Sequence, residues 1–158
     1  MPSTAPTSFH LNSPEETEAF ARRVAALVDG PTVLLLEGEI GAGKSHFSRA
    51  FIRACGATDR DIPSPTFTLV QTYETPLGEI WHCDLYRLTS LDEIDELGLF
   101  AAFDTAICLV EWPDRLGSER PTDALILQFK HGAAVEAREV TLRSQDARWA
   151  PLRDAVTS

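Results

Sequence analysis

The stretch "TVLLLEGEIGAGKSHF", Thr32 to Phe47, constrains this chain more than any other. "TVLLLEG" is apolar without alternation, the mark of a strand buried on both faces of a parallel sheet. It runs directly into Gly38, Gly41 and Gly43, followed by Lys44 and Ser45, and the set Gly38, Gly43, Lys44, Ser45 satisfies the spacing G-x-x-x-x-G-K-[ST]. Beyond it, Phe47, Ala50, Phe51 and Ala54 fall on one face of a helix that Gly56 ends. Residues without side chains let the main chain wrap an anion with its N–H groups pointing inward, and the start of the helix adds its positive dipole end. The segment Gly38, Glu39, Ile40, Gly41, Ala42, Gly43, Lys44, Ser45 and His46 is therefore expected to cradle the phosphates of a nucleoside triphosphate. Lys44 reaches the β and γ phosphates as a point charge, and the Ser45 hydroxyl suits a magnesium ion. The imidazole of His46 is expected on the helix surface.

A phosphate loop with magnesium also calls for a carboxylate at the end of a neighbouring apolar strand. Glu111 closes "AICLVE", and Asp84 follows "EIWHC" within the polar cluster His82, Asp84, Tyr86 and Arg87. Either acid can bind the ion, directly or through water, or orient an attacking water, so both are carried as catalytic and metal candidates. Thr66, in "SPTF", is a third catalytic candidate, placed where nucleotide hydrolases carry a sensing loop. His82 reads as a hydrogen-bonded strand residue, and Trp112 as a packing or partner-facing aromatic.

The flanks supply the architecture. Ser13 before Pro14, Glu15 and Glu16 predicts a capped helix, with Phe20, Val24, Leu27 and Val28 on one face and an end near Gly30. "SFHLN" predicts a short edge strand after a frayed start. "TFTLVQTYE" and "EIWHCDLYRL" predict a hairpin turning at Pro76 and Gly78, and "SLDEIDELGLF" one amphipathic helix. "TAICLVEW" predicts a central strand, "DALILQFKHG" with "EAREVTLRS" a closing hairpin, and "QDARWAPLRDAV" a helical tail. The expected fold is a single α/β domain over residues 1–158, frayed over 1–8, with a mixed, largely parallel central sheet flanked by helices and extended by antiparallel hairpins.

Charge and composition narrow the function. A formal net charge of -10 repels polyanions, and no Lys/Arg block offsets it, which argues against a freestanding nucleic-acid binder. No apolar run approaches the ~18 residues that span a bilayer, and no charged-then-apolar leader opens the chain, so a cytoplasmic protein is expected. Three well-separated cysteines, Cys55, Cys83 and Cys108, fit free thiols in a reducing compartment.

Taken together, "GEIGAGKSHFSRA", "SPTFTLVQTYE", "HCDLYRL" and "EWPDRL" resemble, in this order, the TsaE family (formerly YjeE-type), the bacterial ATPase of tRNA threonylcarbamoyladenosine synthesis. The agreement is at motif level over about Leu34 to Leu116. The resemblance implies a P-loop ATPase using ATP and Mg2+, working with TsaD-type and TsaB-type proteins of the threonylcarbamoyl transferase complex. That complex modifies adenosine 37 of tRNAs reading codons that begin with A. It implies that ATP hydrolysis supports turnover of the complex, that tRNA is contacted mainly indirectly, and that no membrane is involved. By the same resemblance, Thr66 matches the threonine of the SPTF block, Asp84 the essential acid of the H-x-D-x-Y-R block, and Glu111 with Trp112 the E-W pair. His46 departs from the family's small hydroxyl residue at that position. A small-molecule kinase and a nucleotide-gated binding module remain as alternatives, the former lacking an evident arginine-bearing lid.

Overall fold

The computed structural model describes residues 7–39, 42–58, 62, 69–144 and 146–152. In chain order these form β1 (Thr7–Leu11), α1 (Pro14–Ala25), β2 (Thr32–Gly38), α2 (Lys44–Ala54), β3 (Val70–Thr75), β4 (Gly78–Asp84), α3 (Leu91–Glu96), α4 (Leu99–Thr105), β5 (Ile107–Glu111), β6 (Leu125–His131) and β7 (Arg138–Arg143). A 3-10 segment, Pro113–Glu119, follows β5, and a shorter one, Ala147–Trp149, follows β7.

All seven strands join one sheet in the order β1-β7-β6-β2-β5-β4-β3. The centre is parallel, with β2 between β5 and β6 and β4 beside β5. The margins are the antiparallel pairs β1–β7, β6–β7 and β3–β4. The β3–β4 turn holds only Pro76 and Leu77, since Thr75 pairs with Gly78. The mixed sheet expected from the sequence is thus what forms, with the two most apolar strands, β2 and β5, paired in parallel at its centre.

Side chains alternate across this sheet and build two cores. On one face Leu34, Leu36, Ile80, Ile107, Leu109, Leu127 and Phe129 pack with α1 and α2 through Phe20, Val24, Phe47 and Phe51. On the other, Val33, Leu35, Cys83, Cys108 and Val110 pack with α3 and α4 through Ile94, Leu99 and Ala102. An aromatic chain fixes α2: Phe47 stands 5.9 Å from Phe20, 6.0 Å from Phe51 and 5.5 Å from Phe129, ring centre to ring centre. Phe47 is fully buried, and burying such a side chain is worth ~1.5–3 kcal/mol, enough to hold the first turn of α2 against the end of β2.

Three expectations need correction. Helix α1 ends at Ala25, short of Gly30, because Leu27 and Val28 donate to Val24 and Ala25 three residues back at 3.1 Å, tightening the last turn while Val28 is buried. "SLDEIDELGLF" is not one helix: Gly98, at φ 84°, breaks it, and α4 starts anew from Leu99. The 3-10 segment after β5 was not foreseen; it starts at Pro113, directly after Trp112, which is left-handed at φ 58°. The edge strand extends from Thr7, with Thr7 and Ser8 paired to Leu142 and Thr141.

Candidate functional site

Strands β2, β4 and β5 run in the same direction, so Gly38, Asp84 and Glu111 end at one edge of the sheet, where open α/β sheets carry their ligands. Asp84 and Glu111 are register partners on adjacent strands. Two-residue periodicity sets the face: Ile107, Leu109 and Glu111 share one side of β5, as Ile80, His82 and Asp84 share one side of β4. Ile107, Leu109 and Ile80 belong to the core under α1 and α2, so both acids emerge on the face from which α2 departs.

Between Gly38 and α2 lies the loop. Gly38 has φ 136°, and a Cβ built on it would lie 2.5 Å from the carbonyl oxygen of Phe129, so the end of β2 can approach β6 this closely only as glycine. Gly43, at φ 105°, caps α2 with no side-chain hydrogen bond. The first helical bond is that of the Phe47 N–H to the Gly43 carbonyl, which leaves the N–H groups of Lys44, Ser45 and His46 at the open end of the helix. Ile40 and Gly41 lie outside the described residues, as does the whole SPTF block with Thr66.

Lys44 is buried, 5% exposed. Its Nζ donates to the Gly38 carbonyl at 2.6 Å and sits 4.1 Å from the ring centre of Trp112. Burial holds its ammonium below the usual lysine range; Glu111, Asp84 and Asp114 pull the other way by charge. Trp112 in turn lies against Tyr86, ring centres 4.8 Å apart, and Arg115 donates to the Tyr86 carbonyl at 3.1 Å. Trp112 is thus a half-buried shelf under the lysine, placed there by its left-handed backbone.

The two acids are held differently. Oε2 of Glu111 is 2.8 Å from Nε2 of His82, a pair whose side chains are 5% and 1% exposed. Oδ1 of Asp84 accepts from the Tyr86 N–H at 3.0 Å. Ser45 is half-buried, one residue into α2. The ring of His46 turns away, 3.2 Å from the Pro14 carbonyl and 3.7 Å from Glu18, which leaves its backbone N–H as its contribution at the loop. Glu37, just before Gly38, is paired with Arg120 at 2.7 Å.

Two clefts flank the loop and share Gly38, Glu39 and Gln128. One, about 350 Å³, is further lined by Ala42, Phe129, Lys130 and His131. The other, about 300 Å³, is lined by Glu37, Trp112, Pro113 and Asp114. Ser45, Asp84 and Glu111 offer oxygens alone, which suits a hard cation such as magnesium. Among the described residues no group of three or more His, Cys, Asp or Glu side chains gathers to cage a metal.

A family model described as threonylcarbamoyl adenosine biosynthesis protein TsaE matches residues 11–140. The chain belongs to the TsaE family. A TsaE protein of Rickettsia bellii is 43% identical over 120 residues, 76% of this chain and 83% of that one. A TsaE protein of Bacillus subtilis is 37% identical over 141 residues, 89% of this chain and 87% of that one. Both are named tRNA threonylcarbamoyladenosine biosynthesis proteins. Among solved structures, Bacillus subtilis YdiB matches with a TM-score of 0.76 at 28% identity, covering 99% of this chain and 97% of that one. TsaE membership and the P-loop NTPase fold together point to a nucleotide-binding protein.

Sequence reasoning placed His82 and Trp112 at the margin. Tyr86, Arg120 and Gln128 it did not assign. His82 and Tyr86 carried a signal, standing two residues either side of Asp84 in one polar cluster, whereas Arg120 and Gln128 carried none.

Proposed function

We propose that this chain binds ATP with Mg2+ at the loop from Gly38 to His46 and hydrolyses it, and that hydrolysis supports turnover of a TsaD-type and TsaB-type threonylcarbamoyl transferase complex acting on adenosine 37 of tRNA. The observation that carries this reading is the Lys44 ammonium, buried between the Gly38 carbonyl and the Trp112 ring with Asp84 and Glu111 in register beside it. A lysine there has no packing reason to be charged; it suits a polyanion that replaces the carbonyl contact.

The main-chain N–H groups at the start of α2 receive phosphate oxygens, and Lys44 neutralises charge on the β and γ groups. Ser45 with Asp84 or Glu111 would hold Mg2+, which when bound would offset charge on the phosphate oxygens. The remaining carboxylate orients the attacking water, and Thr66 is assigned to the γ-phosphate side through its motif alone. The relatives' names support a place in the tRNA threonylcarbamoyladenosine pathway. The net charge of -10 suits contact with tRNA through protein partners, in the cytoplasm. Among the described residues no helix is long and apolar enough to cross a membrane.

The test is phosphate release from Mg-ATP by the purified chain, alone and with the two transferase partners and tRNA. Lys44→Ala should abolish nucleotide binding, while Asp84→Ala and Glu111→Ala should stay folded and turn over poorly. Titrating nucleotide with and without Mg2+ in the two acid variants identifies which one holds the ion. Undiminished turnover in Lys44→Ala would overturn the site.

A further inference from the structure

The geometry points to His82 as the residue that positions Glu111, holding one carboxylate oxygen so that the other alone stays uncommitted; this rests on the function proposed above. Three observations carry it. Nε2 of His82 lies 2.8 Å from Oε2 of Glu111, with both side chains almost fully buried. Nδ1 of the same ring is buried and has no hydrogen-bond partner among the described residues. The two residues lie on neighbouring parallel strands, with His82 the register partner of Leu109, two residues before Glu111 on the same face.

A buried imidazole with both nitrogens satisfied would read as a structural side chain. Here one nitrogen has no partner, so the ring is costly to bury, and its single polar contact is to an acid of the site. The carboxylate at the end of a side chain turns freely about its last bond, which has no deep wells. A donor fixed on the adjacent strand removes that freedom. With Nε2–H donating, Oε2 is occupied, and Oε1 makes no hydrogen bond among the described residues. Glu111 therefore keeps Oε1 as its uncommitted oxygen, which disfavours two-oxygen chelation of an ion and suits one bond to the ion or to a water it carries. His82 acts through Glu111 and touches no phosphate.

The experiment compares His82→Gln with His82→Asn. A glutamine amide reaches about as far along the side chain as Nε2, whereas asparagine reaches only as far as Nδ1. Calorimetric affinity for a non-hydrolysable ATP analogue is measured with Mg2+ and with EDTA, alongside phosphate release. In His82→Asn the magnesium-dependent gain in affinity and the turnover should each fall tenfold or more, with affinity in EDTA within about twofold of the parent. His82→Gln should restore both to within about threefold. Introducing His82→Asn into Glu111→Gln should change the magnesium-dependent gain by less than twofold, because the group it positions is already lost.

Equal loss in the Gln and Asn variants, no loss in either, or additive effects in the double variant overturns the assignment. Should His82→Asn fail to fold, His82→Gln decides: retention supports the assignment and a tenfold loss overturns it. Failure of the underlying reading looks different, since the parent chain would then show no magnesium-dependent binding, or Lys44→Ala would bind as the parent does.

Discussion

Replacing Gly38 by alanine tests how tightly the phosphate loop is set against the sheet. Two costs add at this position. The backbone sits at φ 136°, where an L side chain is strained by ~1–2 kcal/mol. The new Cβ would also lie 2.5 Å from the Phe129 carbonyl oxygen and 3.2 Å from the Phe129 Cβ, both on the core of the sheet, and such overpacking costs ~1–3 kcal/mol. Phe129 is 1% exposed and cannot retreat, since Phe47 stands 5.5 Å behind it. Together the expected loss is ~2–5 kcal/mol, a fall in melting temperature on the order of 5–15 °C for a domain of this size.

Two other glycines separate the terms. Gly78 has φ 128° but nothing within 4 Å of an added Cβ, so Gly78→Ala should cost the strain alone, ~1–2 kcal/mol. Gly30 has open space and a backbone outside the left-handed region, so Gly30→Ala should stay within ~0.5 kcal/mol of the parent. Thermal and urea unfolding followed by circular dichroism gives all three. If Gly38→Ala costs no more than Gly78→Ala, the close approach of β2 to β6 is not what holds the loop.

Trp112 should report on the loop: with the Lys44 ammonium 4.1 Å from its ring, drawing the lysine onto phosphate should change its emission, and Mg-ATP should leave the fluorescence of Trp112→Phe unchanged. A nucleotide signal that survives in Trp112→Phe refutes the cation–ring contact. Asp146 is held below its usual carboxylate range chiefly by the Arg148 backbone N–H, and further by the Arg148 guanidinium. Its contribution to stability is therefore present above the ordinary aspartate pKa and lost as pH falls through the lowered one; in denaturant titrations, Asp146→Asn should be less stable than the parent at pH 7, with the gap closing in acid. All three cysteines are buried and free, and burial pushes Cys55 and Cys108 each up to about 12. Iodoacetamide should leave the native chain unmodified at pH 8 and label all three after denaturation, as mass spectrometry would show.

Much of the candidate site could be read locally. An unbroken apolar run followed by glycines, lysine and serine reads as a strand, a loop and a helix start in consecutive residues, and β2 ends at Gly38 while α2 begins at Lys44. The Ser13 cap, accepting from the N–H of Glu16, was legible for the same reason. Where periodicity carried less information the reading slipped. "LDEIDELGLF" keeps helical spacing through Gly98, yet Gly98 takes a left-handed φ of 84° and the chain turns there. Likewise nothing in "EWPDRL" announces that Trp112 adopts a left-handed backbone and aims its ring at a lysine far back in the chain.

What this sequence determined by itself is most of the elements and the strand, glycine and helix-start pattern proposed to take phosphate, because these depend on neighbours within a few residues. The two hairpins, β3–β4 and β6–β7, were legible, but how β1, β2, β4, β5, β6 and β7 otherwise lie side by side is a choice among distant pairings that only the tertiary structure made. By placing β4 and β2 on either side of β5, it set Asp84 against Glu111 and brought His82 to the same carboxylate, so that the two candidate acids stand together. The physical reason is that hydrogen-bonded strand partners and buried polar contacts are fixed by packing across the sheet, which no local pattern encodes.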